Sequence, residues 1–169
     1  MPFPPASLVR SVHASDAEAI ARIYNYYVQD TIITFEEEPV SAAEMVSRFE
    51  AVTSAALPWL VIESNGQVDG FAYASPWKRR SAYRYSVEST IYLDAQRLSH
   101  GLGTLLYTAL LDDLRQRPLH LVIGGVALPN AASIRLHEKL GFRKVAHFSE
   151  VGFKFGRWID VGYWQLIIR

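Results

Sequence analysis

Residues 87–126 hold the feature that leaves this chain the fewest options. An apolar run at 87–93 leads through Ser99-His100-Gly101-Leu102-Gly103-Thr104 into a helical pattern at 101–115. Leu102, Leu105, Leu106, Ala109 and Leu110 recur there at helical spacing and predict one buried stripe. A second apolar run follows at 119–126. Strands and helices arranged in this way bury their apolar sides against one another, which predicts an α+β, layered α/β domain. Half of the 169 residues are apolar and 20% are charged, enough for one continuous core and too apolar for disorder.

The flanking segments read the same way. Residues 8–12 are short and β-compatible, and Ser15-Asp16-Ala17-Glu18 reads as a capping box ahead of Ile20, Ile23, Tyr24 and Tyr27. Ser41-Ala42-Ala43-Glu44 is a second box, opening a helix with Met45 and Phe49. Between the two lies a turn region at 32–39, where Phe35 stands ahead of three glutamates. Residues 59–63 and 68–74 around Asn65-Gly66 predict a hairpin. A helix is expected at 131–140, stopped by Gly141, and final strands near 145–151 and 160–168. Residues 1–169 are expected to form a single domain, with 1–7 as a flexible tail.

Composition removes several classes of function. Seventeen basic residues balance seventeen acidic ones, which argues against a nucleic-acid binder. Without cysteine there are no disulfides, no thiolate metal sites and no thiol nucleophile. The histidines show no metal-ligand spacing, so no metal is expected. No run approaches the ~20 apolar residues of a membrane helix, and residues 1–6 lack the pattern of a signal peptide. A cytoplasmic protein is the expectation.

The strand Ile91-Tyr92-Leu93, the turn Ser99, His100, Gly101, Leu102, Gly103 and Thr104, and the helix behind it form a candidate anion site. Amides at a helix start lack internal partners, and the helix dipole favours negative charge there. Alone, the glycine pair is more often an ordinary turn or cap. It is not a dinucleotide fingerprint, since position 106 is Leu106, nor a Walker loop, since no Gly-Lys-Ser/Thr follows.

A second segment, Asn130-Ala131-Ala132-Ser133-Ile134-Arg135-Leu136-His137-Glu138-Lys139-Leu140-Gly141-Phe142, completes a pair. In order and separation the two resemble the cofactor half of the GNAT superfamily of acetyl-CoA-dependent N-acetyltransferases. Residues 76–83 and 88–92, with Gly152-Phe153-Lys154-Phe155-Gly156-Arg157-Trp158 and 160–166, resemble its phosphinothricin N-acetyltransferase branch. The resemblance implies a twisted mixed sheet flanked by helices and acetyl-CoA as co-substrate. The glycine turn is then expected to take the pyrophosphate and Asn130 the pantetheine arm. Three residues before Gly101 the family usually carries Gln or Arg; this chain has Leu98, with Arg97 beside it as the substitute cation.

Acetyl transfer to an amine needs a base for the ammonium proton. Glu88, in an otherwise uncharged β-reading stretch, is the candidate; read alone it is a surface glutamate on a strand. His137, one helical turn after Ser133, is a candidate to donate or relay a proton to the thiolate, or else a packed helix histidine. Lys78, Arg79, Arg80 and Arg84 with Tyr83 form a basic cluster suited to an acidic small molecule, or a solvated loop. By resemblance the acceptor contacts are Lys78, Arg80 and Tyr83, with Phe35 as an apolar wall. Phosphinothricin or a similar amino-acid analogue is the expected acceptor. Methionine sulfone or sulfoximine, and a non-catalytic coenzyme A sensor, are the alternatives. The aromatic crowding of the last third, together with the habit of relatives, predicts a homodimer.

Overall fold

The computed structural model describes residues 7–98 and 101–169. Residues 1–6 of the expected tail, and Ser99 and His100 of the expected phosphate turn, lie outside the described residues. Ser7 rests with its hydroxyl oxygen 3.0 Å from that of Ser64.

The chain runs β1 (Leu8–Ser11), α1 (Ala17–Asp30), α2 (Ala42–Ser54), β2 (Trp59–Ser64), β3 (Gln67–Pro76), β4 (Ser86–Leu93), α3 (Leu102–Arg115), β5 (Leu121–Ala127), α4 (Ala131–Lys139), β6 (Arg143–Lys154) and β7 (Arg157–Ile167). The strands form a seven-stranded mixed sheet in the order β1-β2-β3-β4-β5-β7-β6. β4 and β5 run parallel; the β1/β2, β2/β3, β5/β7 and β6/β7 pairs are antiparallel. Among the described residues no helix is long and apolar enough to cross a membrane.

By contacts the described chain divides into two compact units. The first holds the residues up to Tyr24, Val40–Ala74 and Thr90–Arg117. There α3 packs on β1 and β2 through Leu102, Leu106, Tyr107, Leu110, Leu111 and Leu114, all buried. The expected stripe is thus rotated: Leu105 is exposed, and Tyr107, Leu111 and Leu114 complete the seam. Trp59 stacks on Tyr73 with ring centroids 4.0 Å apart. Asn65 and Gly66 both take positive φ, as the tight β2–β3 turn requires.

The second unit holds Asn25–Pro39, Ser75–Ser89 and Pro118–Arg169. Val122, Ile123, Val126, Ile159, Val161 and Trp164 of β5 and β7 form its core with Phe142 and His137. β6 and β7 are longer than the alternation of the sequence predicts. They join at Phe155-Gly156, a turn with positive φ at both residues that a phenylalanine does not advertise. Much of β6 is exposed on both faces, so the period-2 signal fades.

One cap also differs. Ser41 accepts the Glu44 amide as expected. Ahead of α1, however, the box forms on His13 and Asp16 around a short 3-10 turn at Ala14–Asp16, and Asp16 takes the reach-back role expected of Glu18, accepting the His13 amide at 2.7 Å. Asp16 is held by two hydrogen bonds from Arg10, at 2.8 and 2.9 Å, while Arg10 also reaches Glu63. Burial alone would raise the Asp16 pKa; the Arg10 and His13 bonds outweigh it and hold the carboxyl below its ordinary range. A depressed folded pKa stabilises the fold above the unfolded value and loses that stability as pH falls through the folded one. Asp16→Asn is therefore expected to cost about 1–3 kcal/mol at neutral pH. The deficit should shrink in acid, as denaturant melts of both proteins at neutral and acid pH will read.

Candidate active site

Glu88 lies in the first half of β4, paired in parallel register with Ile123 of β5. Its neighbours Val87 and Ser89 are buried, and Ser89 donates to the Ile123 carbonyl at 3.3 Å. Successive strand residues face opposite sides, so Glu88 emerges on the other face, half-buried. Burial raises its pKa, and the Lys78 ammonium pulls it partway back. No arginine neutralises it among the described residues. A carboxylate in this condition is a stronger base than a solvated one.

What surrounds Glu88 comes from strand register. Gly125 of β5 stands opposite Tyr163 of β7. A Cβ at Gly125 would come 3.1 Å from the Tyr163 ring and 3.4 Å from Glu88 Oε1. The glycine therefore leaves open the space beside both groups. Burial, and then the Glu88 charge, raise the Tyr163 pKa, so this phenol stays protonated. The Tyr163 ring meets Trp77 edge-on at 5.8 Å and Phe148 at 5.6 Å. Lys78 Nζ sits 4.8 Å from the centre of the Trp77 ring. Glu88 and Lys78 are thus grouped with the rings of Trp77, Phe148 and Tyr163.

His137, on α4, is only 3% exposed. Its Nδ1 lies 2.8 Å from the Ser133 carbonyl oxygen, which must accept, so Nδ1 carries the proton and Nε2 the lone pair. Burial lowers its pKa, against the opposing pull of that carbonyl, and keeps the ring neutral. A Cβ at Gly124 would come 2.4 Å from Nε2, so the imidazole lies directly on the β5 main chain. Asn130 caps α4, accepting the Ser133 amide at 3.1 Å.

In the first unit, Gly101 takes φ +76° as the N-cap of α3, a conformation that glycine adopts without strain. No heavy atom lies within 4 Å of where its Cβ would stand. Leu102, Gly103 and Thr104 form the first turn of α3, the end of a helix whose dipole favours a phosphate. Ile91, Tyr92 and Leu93 end β4; Tyr92 packs edge-on against Tyr24 at 5.1 Å. Arg97, beside the turn, pairs with buried Asp69 at 3.3 Å.

The basic cluster divides. Arg84 is used locally, donating to the Ser81 carbonyl at 3.0 Å and stacking on Tyr85. Arg80 and Tyr83 are exposed at either end of the 80–83 turn, and Arg80 forms no ion pair among the described residues. The Phe35 ring lies against Gly152, where a Cβ would come 2.2 Å from it, while the phenyl stays 41% exposed.

The first unit thus supplies a glycine-initiated helix and the second a half-buried carboxylate, and without cysteine there is no thiol nucleophile. The model of the acetyltransferase (GNAT) domain matches residues 9–162. Phosphinothricin N-acetyltransferase of Streptomyces viridochromogenes is 40% identical over 93% of this chain and 85% of its own length. The L-methionine sulfoximine/L-methionine sulfone acetyltransferase of Salmonella typhimurium is 37% identical, over 94% of this chain and 92% of its own. A phosphinothricin acetyltransferase from Sinorhizobium meliloti, solved with acetyl-CoA, superposes with TM-score 0.92 at 34% identity, covering 95% of this chain and 88% of that one. The chain belongs to the GNAT acetyltransferase family and is an N-acetyltransferase.

Trp77, Phe148 and Tyr163 were not among the residues expected at the site. Tyr163 comes to Glu88 only through the β5/β7 register, which no local pattern encodes. Gly125→Val should leave the strand intact, since β-branched residues suit strands. It should crowd Glu88 and Tyr163 and lower kcat/KM by roughly 10- to 100-fold, the scale of lost orientation. Steady-state kinetics beside a thermal melt will check both halves.

Proposed function

We propose that this chain moves the acetyl group of acetyl-CoA onto the amino group of phosphinothricin or a similar amino-acid analogue. Glu88 carries the reading. A carboxylate desolvated on a strand, open on one side through Gly125, is suited to take the proton of an ammonium. The amine then attacks the thioester carbonyl, the C–S bond breaks, and the thiolate is protonated. The products are an N-acetyl amino acid and free coenzyme A, and no acyl-enzyme is needed.

The other groups follow from their surroundings. The Gly101 turn and the first amides of α3 suit the pyrophosphate, and the α4 segment from Asn130 suits the pantetheine arm. Ile91, Tyr92 and Leu93, with Ser99, His100 and Thr104, belong to the same cofactor set. His137, neutral with its proton on Nδ1, joins Glu88 as the group that donates or relays a proton to the thiolate. Lys78, Arg80 and Tyr83 supply the polar contacts for the acceptor's acidic end, and Phe35 an apolar wall. Methionine sulfone or sulfoximine is the second acceptor class, favoured by the Salmonella typhimurium relative.

We read residues 1–169 as one N-acetyltransferase domain, since the family model spans both compact units. A cytoplasmic location goes with acetyl-CoA as donor. A homodimer belongs to the same reading: Phe148, Val151, Phe153, Phe155 and Trp158 are each 52–62% exposed on the β6–β7 hairpin. Light scattering at micromolar concentration should return twice the chain mass.

The test is coenzyme A release across a panel of phosphinothricin, methionine sulfone, methionine sulfoximine and neutral amino acids. Glu88→Gln should lower kcat by about 100-fold or more while acetyl-CoA still binds. A carboxyl whose folded pKa is raised loses stability as pH rises through that value. The same variant should therefore melt higher than the wild type at neutral pH. Arg80→Ala should raise KM for anionic acceptors more than for neutral ones.

A further inference from the structure

Lys154, at the end of β6, is 1% exposed. A buried ammonium is costly unless its donors are satisfied. Its Nζ donates to the carbonyl oxygens of Val28 at 2.7 Å and Thr34 at 2.8 Å, 126 and 120 residues away in sequence. The Phe155 ring centre lies 5.0 Å from the same nitrogen. Val28 belongs to the last turn of α1, whose carbonyls lack intrahelical partners and favour a cation. α1 has no basic residue of its own in that turn. Thr31 satisfies the neighbouring Tyr27 carbonyl at 2.8 Å.

The two carbonyls bracket the segment from Val28 to Thr34, and Phe35 follows directly. On the same strand, two residues before Lys154, Gly152 receives the Phe35 ring at a separation that admits no side chain. Lysine and glycine thus fix one segment twice, once by its main chain and once by its aromatic ring. Ile32, inside the bracket, lines a cleft of about 310 Å³ with Arg157, Trp158 and Asp160. Burial lowers the Lys154 pKa, while the charges of Glu37 and Glu36 on the bracketed segment's far side oppose the loss of its proton.

We infer that Lys154 is a positioning residue for the acceptor: its ammonium, held on the Val28 and Thr34 carbonyls, fixes the segment that seats Phe35 on Gly152. The inference rests on the proposed reading of Phe35 as a wall of the acceptor site.

Lys154→Met keeps the stem and removes the three donors, so it tests the strap. Amide exchange by mass spectrometry should show residues 28–35 losing protection while α3 keeps its own. KM for the acceptor should rise about tenfold or more, with KM for acetyl-CoA and the melting temperature of the cofactor complex little changed. In a Phe35→Ala background the added Lys154→Met should raise acceptor KM by less than twofold, because the two changes act through one contact. Gly152→Ala, which evicts the ring, should reproduce the acceptor effect. Unchanged protection of 28–35 overturns the inference, as does an acceptor KM that stays put or multiplies fully over Phe35→Ala. Should the wild type turn over no amino-acid analogue at all, the functional reading falls, and exchange at 28–35 still decides the strap.

Discussion

A carboxylate that is half withdrawn from water on a strand must either find a counter-ion or hold its proton more tightly. Glu88 is given only a partial remedy, the Lys78 charge, and burial wins. Everything that gives this face of the unit its chemical character depends on that imbalance. An arginine fork of the kind that holds Asp16 would pull Glu88 below the ordinary range and leave a weak base. The same chain thus contains both solutions: a neutralised carboxylate that stabilises α1, and a strained one that costs stability and is suited to accept protons.

Close packing of rings on main chain holds the second unit in shape. His137 lies on Gly124, Phe35 on Gly152 and the Trp164 ring on Gly162, each where a Cβ would be nearer than 3.0 Å. Gly125, beside Gly124 on β5, is instead exposed and bordered by Tyr163 and Glu88 at ordinary or slightly tight distances. Three glycines therefore serve packing and one leaves working room. This distribution explains how β5 carries Gly124 and Gly125 in succession without losing its pairing to β7, whose register runs unbroken from Leu121 to Ala127.

Sequence was informative where the physics is local. Ser41 caps α2, Asn65-Gly66 turns the hairpin and Asn130 caps α4, because each acts within three residues of itself. The glycine turn and the Asn130 segment, read together, pointed to the family that the comparison then established. The misses are non-local. The box ahead of α1 forms on His13 and Asp16 rather than on Ser15 and Glu18, with Arg10 of β1 orienting the Asp16 carboxylate. Arg97 pairs with buried Asp69 of β3, a partner that no local pattern shows. Tyr163 reached Glu88 through strand register, and Lys154 found its carbonyls more than a hundred residues away. Leu105 matched the helical period but faced outward, since a stripe's centre is set by what packs on it.

The proposed reaction requires Glu88 to be a desolvated base whose ionisation controls the rate. Carbon NMR of its carboxyl, assigned by the peak missing in Glu88→Gln, can be followed through pH beside the acid limb of kcat/KM for an amino-acid acceptor. The two midpoints should coincide, and both should lie above 4.5, the ordinary value for this side chain. A Glu88 that titrates at or below that value, or a rate limb that falls elsewhere, would contradict the assignment.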